Sequence, residues 1–396
     1  MTSRRVDPAL FVVAGGVAAA LHVGKLPTAL PVLREALGVT LVQAGFLLSL
    51  VQFAGMLLGV AVGLAADGLG LRRTMIAGLL LLALASALGA FADSAAMLML
   101  LRALEGLGFL LASMPAPSLI RRLVAPGRVN PMLGVWGAYM PVGTALALLC
   151  GPLVMGLVTW RGWWAVLAAI AFVMAIMLWV LVPADPVRYA ARTASLHWSQ
   201  RLRETLGASG PWLVALTFAV YSAQWLSVIG FLPTVYAQAG LGAAWAGAAT
   251  SLAALVNMIG NVAAGRMLQR GVRAQHLIAT GFVAMAIGGI ATFGGSGAIR
   301  YAGVLMFSMI GGLIPATLFS LAVRFAPGES TISTTVGWMQ QWSAFGQFAG
   351  PPLVAFVASR AGGWQWSGFV TGGCAAVGLV LSTFIARAIR GRVATI

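Results

Sequence analysis

Four ionisable side chains stand inside long apolar runs of this 396-residue chain, in two pairs of equal spacing. His22 and Lys25 are three residues apart in the first run, and Arg102 and Glu105 repeat that spacing in the fourth. Residues three apart share a helix face, so each pair presents its polar heads side by side. In hydrocarbon each such group costs at least about 2.5 to 3.5 kcal/mol to insert and marks an ion or proton path by default. Arg102 and Glu105 can neutralise each other and pin their helix. Lys25 has no acid one turn away on its own helix, so it calls for a partner or a solute from elsewhere. His22 can carry a proton or bond a neighbouring helix. With His22 neutral, Lys25 and Arg102 against an ionised Glu105 sum to +1, and protonation of Glu105 raises the sum to +2. Such a cluster would bind an anion better when protonated, and the anion would in turn hold the proton.

The elements that carry these residues follow from composition. The chain is 60% hydrophobic and 8% charged with mean hydropathy +0.96, whereas soluble domains are about one quarter charged, so it belongs in a bilayer. At about 20 apolar residues per span, twelve spans are expected, near 10–33, 40–66, 74–92, 95–119, 131–157, 161–183, 211–237, 243–268, 275–294, 300–322, 331–358 and 364–388. These runs are too long for barrel strands, and backbone groups in lipid must be satisfied internally, so the spans are helices. Arg4 and Arg5 before the first run resemble the start of a signal peptide, but the run continues to full span length and has a counterpart later in the chain. At about 1.5 Å of rise per residue, His22 and Lys25 lie roughly 20 and 24 Å along the first span, and Arg102 and Glu105 roughly 10 and 15 Å along the fourth.

The net charge of +16 does not imply nucleic acid. Most of the 24 basic residues, including Arg72, Arg73, Arg121, Arg122, Arg188, Arg192, Arg266, Arg273 and Arg387, fall on one side of the span pattern, and only Arg34, Arg161, Arg300 and Arg360 fall opposite. Positive charge marks the cytoplasmic side. Both termini are therefore expected in the cytoplasm of a multi-pass protein of the cell inner membrane. Cys150 and Cys374 both fall within spans, one in each half, and indicate no disulfide framework.

The chain also repeats itself. Ala44–Gly63 aligns with Ala246–Gly265 at an offset of 202, matching Ala44, Gly45, Ser49, Leu50, Met56 and Gly63 with identical residues, and Pro31 then meets Pro233. Two similar halves around a central site can rock and expose it to either side in turn, which points to a transporter. Residues 1–183 read as one six-helix bundle, 184–210 as a linker and 211–396 as the second bundle. An even number of spans per half sets their pseudo-twofold axis along the membrane normal. In the linker, Leu196, Trp198 and Leu202 can form one face of a short interfacial helix whose arginines meet anionic lipid, or the segment is a solvated connector.

The loop after the second span, Gly63 to Arg73, matches G-x-x-x-D-x-x-G-x-R-R at Gly63, Asp67, Gly70, Arg72 and Arg73. By this signature, by "RALEGLG" at Arg102–Gly108 and by "GTALALLCGPLVMG" at Gly143–Gly156, the chain resembles the major facilitator superfamily. "GKLPTALPVLREALG", "MPAPSLIRR", "WLSVIGFLPTVYAQAG" and "FGQFAGPPL" are similar to its cyanate-permease-like branch, with Lys25 standing where that branch would carry arginine. The resemblance implies a twelve-helix fold in which the first and fourth helices line a central cavity. It also implies that Gly63, Asp67, Gly70, Arg72 and Arg73 form a cytoplasmic gate or, on a plainer reading, a topology anchor.

Together these readings give a secondary transporter of a small anionic solute, coupled to protons. Lys25, Arg102, His22, Tyr139, Gln224, Trp225 and Gln341 are the expected solute-binding residues, and Glu105 and His22 the expected proton carriers. Asn257, Asn261, Gln340, Gln347 and Tyr221 add neutral polar groups in the second half, where amides also serve to join helices. The alternative is proton-driven efflux of lipophilic drugs or other small molecules through a pocket rich in the 17 methionines and 13 tryptophans. An enzyme is not expected, because no metal-binding histidine spacing or nucleotide-binding glycine loop is present. No cofactor or metal is expected; the expected partners are the solute, protons and lipid, with no nucleic acid, and the chain is expected to be a monomer.

Overall fold

The computed structural model describes residues 7–128, 132, 135–185, 198–328 and 331–393, and among these the regular structure is helical throughout. The membrane-crossing elements are α1 (Pro8–Leu37), α2 (Leu41–Val62), α3 (Leu71–Gly89), α4 (Ala95–Leu123), α5 and α6 (together Val135–Leu181), α7 (Ser209–Gln238), α8 (Ala243–Gln269), α9 (Ala274–Gly294), α10 (Gly297–Phe325), α11 (Ile332–Arg360) and α12 (Trp364–Arg390). Ten helices among the described residues are long and apolar enough to cross a bilayer. One of them, Val135–Leu181, is two spans: Thr159, at φ 64° and ψ 175°, interrupts the helix and divides α5 from α6. That residue sits in the left-handed range that a branched side chain rarely adopts. The twelfth span is α11, as long as its neighbours but carrying Gln340, Gln341 and Gln347. The twelve expected spans are thus all present, in two six-helix bundles.

Local chemistry sets several helix ends. Asp7 caps α1 by accepting the Ala9 N–H at 3.0 Å, and Gly38, at φ 62°, ends it in the left-handed conformation. Thr40 and Gln43 form a reciprocal capping box at the start of α2, satisfying two otherwise orphaned donors. Ser94 caps α4 through the Met97 N–H. A short helix, Trp198–Gly207, lies in the linker with Trp198 61% exposed; Leu196, Arg188 and Arg192 lie outside the described residues.

The bundles meet unequally at the two membrane faces. They share one apolar core, which the first bundle joins only in its half opposite the termini, where Leu26, Leu30, Leu47 and Leu148 pack with Ile229, Leu232, Ala246 and Ala253, and which in the second bundle continues to Phe325 and Ile385. Nearer the termini the first bundle has its own core around Met75, Leu119, Trp136 and Leu178, and Ala264, Leu277 and Leu313 form a separate one in the second. Gln52 Nε2 donates to Gln347 Oε1 at 3.1 Å, and Gln341 Oε1 accepts the Val60 N–H at 3.1 Å, joining α2 to α11. Ser251 Oγ donates to the Ala145 carbonyl at 2.9 Å, joining α8 to α5.

Candidate functional site

The two glycines of "RALEGLG" decide where Glu105 goes. A Cβ on Gly106 would stand 2.6 Å from the Val51 carbonyl oxygen of α2, and one on Gly108 would stand 2.8 Å from the Gly78 carbonyl oxygen of α3. Only a bare Cα lets α4 lie against both backbones at once. That approach directs Glu105 into the bundle, where it is 1% exposed. Gly24 does the same for α1, since a Cβ there would meet the Thr144 carbonyl oxygen of α5 at 2.6 Å.

All four predicted ionisable residues then meet. Lys25 Nζ donates to Glu105 Oε1 in a short ion pair, and Arg102 Nη1 donates to Glu105 Oε2 at 2.7 Å. His22 Nδ1 stands 3.8 Å from Glu105 Oε1, beyond a hydrogen bond. Arg102 also donates from Nη1 to the His22 carbonyl at 2.5 Å and from Nε to the Leu47 carbonyl at 3.2 Å. The 3-10 turn Leu50–Gln52 interrupts the α-helical ladder just beyond Leu47, and i to i+3 bonding there releases carbonyls of the preceding turn. Lys25 Nζ further donates to Ser86 Oγ at 2.9 Å and lies 4.5 Å from the centre of the Trp164 ring. Ser86 in turn donates to the Trp164 carbonyl at 3.0 Å.

The cluster is closed against water: His22 and Lys25 are 0% exposed and Arg102 2%. Lys25 is turned towards α3, α4 and α6 inside the first bundle, not towards the second. Both His22 ring nitrogens and Arg102 Nη2 are buried without a hydrogen-bond partner. Two cations against one carboxylate leave a net charge of +1, and the unused donors make this an electron-poor pocket. Among the described residues no group of three or more His, Cys, Asp or Glu side chains could hold a metal.

The other expected residues are dispersed. Tyr139 stacks on Trp136 with ring centroids 4.2 Å apart, beside Gly16 of α1. Trp225 Nε1 donates to Ser308 Oγ at 3.3 Å, within a polar group where Asn257 Nδ2 donates to Tyr221 OH at 3.0 Å and to the Ser308 carbonyl at 2.8 Å. Gln341 bridges to α2 as described above. Gln224 is 1% exposed and spends its amide N–H on its own helix, at the Val220 carbonyl.

At the signature loop, the side chains of residues 63–69, Asp67 among them, lie outside the described residues. Gly70 starts α3 at φ 96°, a conformation suited to glycine. The cap of α3 comes from far along the chain: the Asp185 carboxylate accepts the Arg72 and Arg73 N–H groups at 3.1 to 3.3 Å. Asp185 also pairs closely with Arg122 at the end of α4, and Arg72 donates to the Trp179 carbonyl of α6. A Cβ on Gly70 would stand 2.7 Å from Asp185 Oδ2.

Sequence reasoning did not single out Ser86, Trp164, Ser308 or Asp185, and it counted Arg122 only among the arginines of one face. The first three carry no local mark of their roles. Asp185 and Arg122 had one available signal, an acid just after the sixth span on a face otherwise crowded with arginines.

Two solved structures align with nearly the whole chain. A bacterial homolog of the human lysosomal transporter Spinster, in an inward-facing and occupied conformation, superposes with TM-score 0.79 at 15% identity and covers 96% of each chain. A D-xylose-proton symporter superposes with TM-score 0.74 at 17% identity, over 95% of this chain and 96% of the other. At such identities they show the fold alone. Puromycin resistance protein pur8 of Streptomyces alboniger is 36% identical over 174 residues, 43% of this chain and 32% of that protein, so the match spans about a third of its length. The model of the Major Facilitator Superfamily matches residues 10–351, and the chain belongs to that family of membrane transporters.

Proposed function

We propose that this chain is a proton-coupled secondary transporter of a small anionic solute, working by alternating access with the His22, Lys25, Arg102 and Glu105 cluster as its coupling centre. One observation carries the reading: Lys25 and Arg102 are bound to the two oxygens of a single buried carboxylate. While Glu105 is ionised it occupies both cations in the manner of an internal anion. A proton on Glu105 neutralises it and frees two positive charges, so a solute anion gains affinity when the proton arrives. Glu105 is also the only acid in the interior of a described span; Asp7, Glu35, Asp93, Asp185 and Glu204 lie at helix ends, in a loop or in the linker. The energetics ask for such coupling, since carrying one negative charge into a negative interior costs about 2.3 kcal/mol per 100 mV, and a co-transported proton removes that cost.

The cluster is enclosed within one bundle, so its role is to set that bundle's affinity and shape, and the solute itself is held between the bundles. Gln341 and Trp225 are the neutral partners on the second bundle. Arg72, Arg73, Arg122, Arg266 and Arg273 share the face of the termini, and by the positive-inside rule that face is cytoplasmic. The first bundle joins the shared core only through its outer half and keeps a separate inner core, which favours an inward-facing state of the transporter in a cell inner membrane.

The test is accumulation in proteoliposomes against counterflow exchange. Glu105→Gln is expected to keep exchange and lose accumulation driven by a pH gradient. Because it leaves two cations uncompensated, Lys25→Gln with Glu105→Gln is assayed beside it, restoring the net +1. If either variant still concentrates solute along a pH gradient, Glu105 is not the carrier.

Efflux of lipophilic compounds is a second reading, favoured by the 36% identity to a segment of the puromycin resistance protein. A thermal-shift screen at about pH 5.5 and about pH 7.5 separates the two through the protonation of the cluster. Stabilisation by small anions, stronger at the lower pH and absent in Lys25→Ala, supports the first; stabilisation only by lipophilic amines supports the second.

A further inference from the structure

On the face opposite the termini, where α1 and α7 end, the two bundles leave between them a cavity of about 480 Å³ that opens outwards. Pro31, Arg34, Glu35 and Val39 line it from the first bundle, and Thr234 and Gln238 from the second. Small-molecule sites span roughly 300 to 1,000 Å³, so its size suffices for a solute. Arg34 stands nine residues beyond Lys25 on α1, about 14 Å further out at ~1.5 Å per residue. The cavity is therefore separate from the Glu105 cluster.

Two donor groups in its lining have nothing to bond. The half-buried Arg34 side chain makes no ion pair and no hydrogen bond among the described residues; its Nε is buried without a partner, whereas both Nη atoms reach solvent. A cation in the last turn of α1 suits the helix dipole, but the dipole leaves the guanidinium N–H groups unmet. Glu35, next in sequence, is exposed and forms no ion pair with it. On the α7 side, Gln238 Oε1 accepts the Trp364 indole N–H at 2.7 Å. An indole can only donate, so this bond fixes the amide with its NH2 turned away from Trp364, and that NH2 makes no hydrogen bond among the described residues. The lining charges of Arg34 and Glu35 cancel. One added negative charge is therefore balanced by Arg34, and a second would be opposed by Glu35.

We propose that this cavity binds a small monocarboxylate, which accepts N–H groups from the Arg34 guanidinium and from the Gln238 amide. Hydrogen bonds from a guanidinium to a carboxylate are among the strong ones. The two donors belong to different bundles, so the site exists only while the outer ends of α1 and α7 are together. An occupant holds that side closed, since a ligand favours the state that binds it. The proposal takes alternating access from the function proposed above and nothing from its coupling step.

The experiment uses the full chain in nanodiscs, with a cysteine at Ala237, an exposed residue of the lining, in a Cys150→Ala, Cys374→Ala background. Propionate is expected to slow its labelling by an impermeant maleimide. Propionamide, of similar shape but uncharged, is expected to need at least about tenfold more for half-protection, the ratio typical of a hydrogen bond to a charged group. Arg34→Gln is expected to raise the half-protecting concentration of propionate by a similar factor, with the labelling rate in its absence unchanged. Glu105→Gln is expected to leave protection as it was, which separates this site from the coupling cluster. Equal protection by propionamide or by sulfate, protection that survives Arg34→Gln, or protection lost in Glu105→Gln would each overturn the proposal. The amide comparison needs no substitution at Arg34, so a poorly folding Arg34 variant does not protect it.

Discussion

Lys25 of α1 and Arg102 of α4 hold opposite oxygens of one carboxylate, that of Glu105. The arrangement turns two helices into a single charged unit and makes the three residues unequal. Among the described residues Glu105 is the only counter-charge for both cations, whereas Glu105 keeps one cation when the other is removed.

Stability should follow that charge arithmetic. Removing the lone partner of buried charge costs about 3 to 5 kcal/mol, so Glu105→Gln should fall in that range. Lys25→Met leaves the Arg102–Glu105 pair balanced and should cost clearly less. Thermal unfolding in detergent measures both, and equal losses would contradict the shared-carboxylate picture.

Helix contact should be equally selective. A Cβ on Gly346 of α11 would stand 2.0 Å from the Ala219 carbonyl oxygen of α7, while one on Gly156 meets nothing within 4 Å. Overpacking of this kind costs about 1 to 3 kcal/mol or more. Gly346→Ala should therefore lower the unfolding temperature, and Gly156→Ala should leave it nearly unchanged.

Asp185 should protect the start of α3. Its carboxylate takes the Arg72 and Arg73 N–H groups, and losing a cap costs about 1 kcal/mol. In Asp185→Ala, hydrogen exchange at Arg72 and Arg73 should speed up several-fold. Asp185→Asn, which keeps an acceptor but loses the charge that pairs with Arg122, should show a smaller change.

The α2–α11 contacts should bias the two-state equilibrium. Gln341→Ala removes a bond across the interface that must rearrange, and one net hydrogen bond is worth roughly a fivefold shift in population. A cysteine at Thr234, 3% exposed where α1 meets α7, placed in a Cys150→Ala, Cys374→Ala background, should then react faster with an impermeant maleimide. An unchanged rate would mean the bond does not distinguish the states.

Much of this was legible along the chain. Apolar runs marked the spans, and the division of α5 from α6 fell between Leu157 and Arg161, where Thr159 breaks the helix. The spacing of His22 with Lys25 and of Arg102 with Glu105 placed each pair on one helix face, and the two faces meet at Glu105. Composition could not say which neighbour each face meets. Ser86 and Trp164, which complete the surroundings of Lys25, come from α3 and α6 and have nothing polar beside them in sequence.

By itself the sequence determined that the chain crosses a bilayer many times, with what internal duplication, and which spans carry its buried charges. These properties depend on hydropathy and helical rise, which are local. Only the tertiary structure decided that one carboxylate serves two cations, that Asp185 caps a helix begun more than a hundred residues earlier, and that Gln224 is buried between α7, α11 and α12. Each of these depends on the rotation of a helix about its own axis. In an apolar medium that rotation is set by where glycines let backbones touch, a contact between distant segments that no local pattern encodes.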